Sequence, residues 1–205
     1  MTDTPPPPKR ESSDDRRAAI AAAARALVHE KGFEGLRTRD IAERVGINIA
    51  TLHYHVPSKA ALIQLLAETM QDDFRHQSLA RPRAHLSGAE QLEYEFADYL
   101  ELLTAQQQLL EVMSELTQRA ARDPAIAAVL RPMRRGWEAM VADIFRTGVA
   151  DGSFRRDLDP AAAALLLIGA LSEFRRGTDR SPENYERLCA ELRRAFRPPS
   201  SEPRP

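Results

Sequence analysis

The stretch Thr38-Arg39-Asp40-Ile41-Ala42-Glu43-Arg44-Val45-Gly46-Ile47-Asn48-Ile49-Ala50-Thr51-Leu52-His53-Tyr54-His55 divides at Gly46 into two short helical segments. Thr38 is expected to cap the first, whose buried face is Ile41, Ala42 and Val45. Asn48 is expected to cap the second, and Pro57 stops it, because proline removes a donor and restricts the residue before it. Two short helices joined by a glycine turn form a helix-turn-helix, in which the first helix braces and the second enters the major groove. That groove is about 12 Å wide and admits an α-helix. Ile41, Val45, Ile47 and Leu52 are placed to fix the crossing of the two helices. The outward residues Asn48 to Ala50, with Thr51, His53, Tyr54 and His55, include no acid that would repel a phosphate backbone.

Working outward, helical periodicity continues in both directions without strand-like alternation. A first helix spans about Asp14–Lys31, with Ile20, Ala24, Leu27 and Val28 on one face and Gly32 as its terminal cap. Ser58 caps a long fourth helix over about Lys59–Gln77. Ser87 to Glu90 is a capping-box pattern for a fifth, ending near Thr104. A sixth covers about Gln106–Ala121. Asp123-Pro124 opens a seventh, to about Ala150, in which Pro132 should produce a kink or a break. Asp159-Pro160 opens an eighth, to about Arg176, and Ser181-Pro182 a ninth, to about Arg197. The expected fold is all-α with about nine helices: a disordered arm over 1–13, a DNA-binding domain over 14–60, a connecting fourth helix over 59–77, a helical effector-binding and dimerisation domain over 61–197, and a disordered tail over 198–205.

Composition narrows the function. The net charge is −1, yet residues 16–59 carry eight Lys or Arg against four Asp or Glu, so the basic excess lies where a phosphate-facing surface would need it. A solvated charged surface would give the same small excess. The single Cys189 excludes an intramolecular disulfide and a multi-cysteine zinc site, and it fits a small buried apolar group. His53 and His55 are two residues apart and point to different helix faces; His29, His76 and His85 have no ligand-spaced partners, so no metal or other cofactor is expected. No catalytic constellation of Ser/His/Asp, Cys/His or paired carboxylates stands out, nor a glycine-rich phosphate loop, so the chain is not expected to be an enzyme. No apolar run is long enough to cross a bilayer and the proline-rich N-terminus has no signal-peptide core, so the expected location is the cytoplasm, with no membrane partner.

The sequence Gly32-Phe33-Glu34-Gly35-Leu36-Arg37, running on through Thr38–Ile47, resembles the start of the tetracycline-repressor (TetR) family DNA-binding domain. The match continues over Ala50-Thr51-Leu52-His53-Tyr54-His55-Val56-Pro57-Ser58-Lys59 and on to Leu62, covering roughly residues 15–65. Two positions depart from the family's usual pattern: His53 stands where Tyr is most common, and Val56 where Phe is usual. The resemblance implies that Thr38 and Arg39 contact phosphates, that Asn48, Ile49, Ala50 and His53 face base edges, that Thr51, Tyr54 and His55 hold the flanking backbone, and that Lys59 clamps a further phosphate. His55 fits partial packing equally well. The same resemblance implies a small-molecule effector, largely apolar, bound among the bundle helices. Phe96, Tyr99, Leu100, Leu103, Met113, Trp137, Met140 and Ile144 are its candidate lining, although each fits a plain helical core as well.

The eighth helix is apolar nearly all round, and a helix of that kind must be covered on several sides. With the stripe on the ninth helix, it suggests a homodimer built on Leu165, Ile168, Phe174, Tyr185, Leu188 and Leu192. Two copies would read a pseudo-palindromic operator on double-stranded DNA. The leading expectation is therefore a ligand-released dimeric repressor. A protein of the same fold that binds ligands or partners without reading DNA, and an activator, are the alternatives.

Overall fold

A computed structural model describes residues 12–199, and among them the only regular elements are nine α-helices. They are α1 (Ser13–Lys31), α2 (Thr38–Val45), α3 (Ile49–His55), α4 (Lys59–Ala80), α5 (Gly88–Ala105), α6 (Gln107–Ala120), α7 (Pro124–Asp151), α8 (Pro160–Arg176) and α9 (Pro182–Phe196). The all-α expectation holds. The expected arm and tail fall mostly outside the described residues, but Ser12 and Ser13 belong to a helix start. Ser12 accepts the Asp15 N–H and Asp15 returns a bond to the Ser12 N–H, so a capping box begins α1 before Asp14.

Local chemistry accounts for most of the boundaries. Gly46 closes α2 in the left-handed region, at φ 73°, where a side chain would be strained. Its N–H and that of Ile47 return to the Glu43 and Ala42 carbonyls, at 3.1 and 2.9 Å. Ser87 and Glu90 form the expected capping box of α5, and Asp159 accepts two N–H groups at the start of α8. One cap differs from expectation. The residue before α2 is Arg37, which has no side-chain acceptor, and Thr38 is already helical. Pro132 does not end α7, which runs on as one helix. The carbonyl it leaves unbonded belongs to Ala128, and both residues are exposed, so water can satisfy the lost bond.

The described chain forms two compact units, one running up to Asp72 together with Glu111–Val129, the other comprising Asp73–Leu110 and the chain from Leu130 onward. The division thus falls within α4, at 72/73 rather than near residue 60. The first half of α4 belongs with the N-terminal helices because Leu62, Leu65, Leu66 and Met70 are buried there and Glu68 pairs with Arg17 of α1 at 2.9 Å.

In the second unit, α5 and α7 approach at Gly88 and Gly148. A Cβ on Gly88 would run into the Gly148 backbone, and a Cβ on Gly148 into the Phe154 ring. Behind this crossing Phe145, Phe154 and Phe196 cluster, with Phe145 and Phe196 rings 4.6 Å apart. Tyr99 donates its hydroxyl to the Leu171 carbonyl at 2.9 Å, and Tyr185 to that of Phe96 at 2.7 Å, joining α5 to α8 and α9. Two carboxylates are buried with them. Glu95 accepts from Trp137 Nε1 at 2.8 Å and faces Arg83; Asp98 pairs with Arg81 and Arg83. Burial pushes the Glu95 carboxyl above its ordinary range, against the pull of Trp137 and Arg83.

Replacing glycine by alanine inside a helix ordinarily stabilises by up to about 1 kcal/mol. At the α5–α7 crossing the sign should invert. Gly88→Ala is expected to lower unfolding stability by about 1–3 kcal/mol, the usual range for overpacking. Gly136→Ala, on an open stretch of α7, should be neutral or stabilising. Urea denaturation of both variants checks this.

Candidate nucleic-acid interface

α3 has seven residues, too few to hold a helix alone. It is fixed from two sides. Leu52 is fully buried, and the side-chain oxygen Oδ1 of Asn48 accepts the Thr51 N–H at 2.7 Å, which caps the helix as expected. This leaves the NH2 half of the Asn48 amide to donate outward. Ile49, Ala50, His53 and Tyr54 are exposed, Tyr54 by 83%, while Thr51 and His55 are half-buried. The outward face therefore presents an amide donor, two apolar groups, an imidazole and a phenol, with no acid in its first turn. His55 is partly packed, its ring edge-on to Tyr54 at 5.1 Å.

α2 is held against α1 by two ion pairs. Lys31 Nζ lies 2.8 Å from Asp40 Oδ2, and Arg44 grips Glu30 through both guanidinium nitrogens, at 2.6 and 2.8 Å. Each carboxyl is held below its ordinary range, chiefly by the hydrogen bond from its cationic partner. These pairs occupy part of the basic excess seen in the sequence. Among the described residues Arg37, Arg39 and Lys59 make no ion pair and are exposed. Arg37 sits at the start of α2, where no side chain caps the helix. The first N–H groups of α2 are thus left with two arginines and Thr38 around them, an arrangement suited to an anion. Nothing in the sequence marks Arg37, because the capping preference points to Thr38.

Comparison with known proteins gives the arrangement a context. Residues 20–66 match bacterial regulatory proteins of the tetR family, and residues 88–172 match the C-terminal domain of BetI-type transcriptional repressors. The chain belongs to the TetR family. It is a DNA-binding transcriptional regulator, and the family is not one of enzymes. The HTH-type transcriptional regulator UidR of Escherichia coli K12 is 28% identical over 145 residues, 71% of this chain and 72% of that protein. A putative transcriptional regulator from Saccharomonospora viridis, crystallised with choline, superposes with a TM-score of 0.75 at 22% identity, covering 88% of this chain and 94% of the other. AibR, solved with isovaleryl coenzyme A and operator DNA, superposes with a TM-score of 0.70 at 21% identity, covering 90% and 99%. These last two likenesses establish the TetR fold.

The remaining candidates divide by burial. Phe96, Tyr99 and Ile144 are closed core, whereas Leu100, Leu103, Met113, Trp137 and Met140 are half-buried. Met113 lies in the first unit and the others in the second. A groove of about 390 Å³ in the second unit is lined instead by Asp73, His76, Gln77, Ala80, Arg81, Glu101 and Gln106, all but Ala80 polar and none among the expected lining. Of the six residues assigned to the dimer face, Leu165 is exposed and Phe174 and Leu188 are half-buried. Ile168, Tyr185 and Leu192 are buried within the chain itself. The apolar stripe of α9, Cys189 included and Leu188 excepted, is therefore core, and its outer face is the charged row Glu183, Glu186, Arg187, Glu191 and Arg194. Among the described residues no helix is long and apolar enough to cross a membrane, and no cluster of His, Cys, Asp or Glu is placed to hold a metal.

The cap on α3 separates folding from recognition. Asn48→Ala should lower unfolding stability by about 1 kcal/mol, and Asn48→Ser, which can still accept from the backbone, should recover most of it. Urea titrations of the two variants at one pH measure both effects.

Proposed function

We propose that this TetR-family chain is a homodimeric repressor that reads a pseudo-palindromic operator through α2, α3 and the start of α4, and releases it on binding a small effector. The observation that carries the DNA contacts is the acid-free outward face of α3 flanked by unpaired cations. Asn48, Ile49, Ala50 and His53 would meet base edges. An amide can hydrogen-bond a base, and Ile or Ala can pack on a thymine methyl. Thr38, Arg39 and Arg37 at the uncapped start of α2, with Thr51, Tyr54 and His55 beside the reading face, would hold phosphates, and Lys59 would clamp a further one. The site of action is the cytoplasm.

For the proposed dimer, the exposed face of α8 supports a narrower surface than the six residues expected from the sequence. Ala162, Leu165, Leu166 and Gly169 are exposed on one face of α8, Leu165 by 57% and Leu166 by 53%. Two leucines flanked by small residues form an apolar strip that a second copy of α8 can approach closely. An effector reading rests on the half-buried Leu100, Leu103, Trp137 and Met140 for a largely apolar molecule. AibR, solved with both a ligand and operator DNA, supports pairing the two functions in one chain. Release then requires that the effector prefer the conformation that does not bind DNA.

Selection of bound sequences from random duplexes by the purified protein should enrich two inverted half-sites about one helical turn, ~34–36 Å, apart. An unenriched pool would contradict operator recognition. Fused upstream of a reporter, the enriched site should be silenced by the wild-type chain and released by Asn48→Ala with Lys59→Ala. Leu166→Glu should shift the protein to monomer in sedimentation equilibrium and abolish binding to the paired site. A monomer for the wild type, or a dimer unchanged by the substitution, contradicts the α8 interface.

A further inference from the structure

The turn after α1 carries Phe33, whose ring is almost wholly buried although it lies in a loop. Two cations stand over it. The Arg119 guanidinium of α6 is 4.7 Å from the ring centroid, and the Lys59 ammonium of α4 is 5.1 Å from it. A cation over an aromatic face at that range is attracted by the ring quadrupole, more strongly once desolvated. The next residue, Glu34, accepts from Arg119 Nη2 at 2.7 Å. The Glu34 carboxyl is held below its ordinary range first by that hydrogen bond and by the Arg119 charge, and then by the field of Lys59. Lys59 is thus within electrostatic reach of Glu34 but makes no ion pair with it.

The arrangement is asymmetric. Arg119 is about three-quarters buried and takes hold of Glu34, while the Lys59 ammonium stays exposed. Arg119 is anchored further by Glu115, one turn earlier on α6, at 3.5 Å from its Nε, and by the packing of its guanidinium on Phe33. A further tie, from Glu111 near the other end of α6, reaches His29 of α1 itself. From Glu111 onward α6 is therefore joined to α1 and to the turn that follows it, within one compact unit.

We infer that Arg119 is a positioning residue for the DNA clamp: by binding Glu34 and backing Phe33, it keeps Lys59 free for a phosphate. Without Arg119, Glu34 is an unclaimed carboxylate beside the nearest exposed ammonium, and the two pair. The clamp charge is then cancelled inside the protein. The inference rests on Lys59 being a phosphate contact.

The test uses the salt dependence of binding to a short random-sequence duplex, followed by fluorescence anisotropy. Each lost phosphate contact lowers the slope of log K against log salt by about one per chain bound. Lys59→Ala should lower it by that amount. Arg119→Ala should lower it equally, Glu34→Gln alone should leave it unchanged, and Arg119→Ala with Glu34→Gln should restore the wild-type slope. Restoration is decisive, because removing a second side chain does not repair a merely structural defect. Arg119→Met, which keeps an apolar stem but has no donor for Glu34, carries the same comparison if the alanine variant melts without cooperativity. An unchanged slope in Lys59→Ala overturns the clamp and this inference together. A loss in Lys59→Ala without one in Arg119→Ala, or a loss that Glu34→Gln fails to restore, overturns the inference and leaves the clamp standing.

Discussion

The burial of Leu52 is the constraint on which the reading head depends. α3 is two turns long, and it buries no other side chain completely. Its orientation is therefore inherited from whatever closes over Leu52, and that surface is fixed by how α1 and α2 cross. The crossing is held by the buried Ile20, Leu27 and Ile41 and framed by the Lys31–Asp40 and Arg44–Glu30 pairs. Surface ion pairs of this kind stabilise by only about 0–1 kcal/mol each. Their larger effect is on the charge that remains. They neutralise Lys31 and Arg44 within the protein and leave Arg37, Arg39 and Lys59 facing outward.

That selection resolves the apparent conflict between a net charge of −1 and a polyanionic partner. At physiological salt a charge is felt over about 8 Å, so the distant acidic surface hardly weakens a local contact. What matters is which cations near the reading helix are unpaired. Simple counts over residues 16–59 treat all eight basic groups alike and understate how unequal they are. Arg119 extends the same logic: a cation far away in sequence decides whether a carboxylate next to the clamp is already occupied.

The fold was legible wherever a boundary is set by neighbouring residues. Asn48, Ser58, Ser87 with Glu90, and Asp159-Pro160 each start a helix as their chemistry requires, and Gly46 ends one. Local pattern stops being decisive where the outcome depends on distant partners. Periodicity showed that α9 has an apolar stripe, but could not show that Tyr185, Cys189 and Leu192 are covered by their own chain rather than by another copy. On α8, nearly apolar all round, the pattern could not separate Leu167 and Ile168, which are buried, from Leu165 and Leu166, which are not. Glu95 and Asp98 look like solvent-facing residues of a surface helix; their burial depends on Arg81, Arg83 and Trp137, which reach them from other segments. Thr38, a good capping residue, is itself helical, because the chain enters α2 one residue earlier, at Arg37.

Recognition energetics explain why the outer face of α8 matters as much as α3. A good bidentate contact with a base discriminates by about 1–3 kcal/mol. One copy of α3 offers few groups able to meet a base, and with Asn48 Oδ1 held by the cap each makes at most a single hydrogen bond or an apolar contact: half of the Asn48 amide, His53, and the apolar Ile49 and Ala50. Specific binding usually exceeds non-specific binding by about 4–10 kcal/mol. A single reading head falls short of most of that range, and cations added around it raise affinity for every sequence alike. Doubling the head at a fixed spacing doubles the base contacts and adds the spacing itself as a criterion. The exposed leucines of α8 thus belong to the reading mechanism of the proposed dimer as directly as the residues that touch the bases.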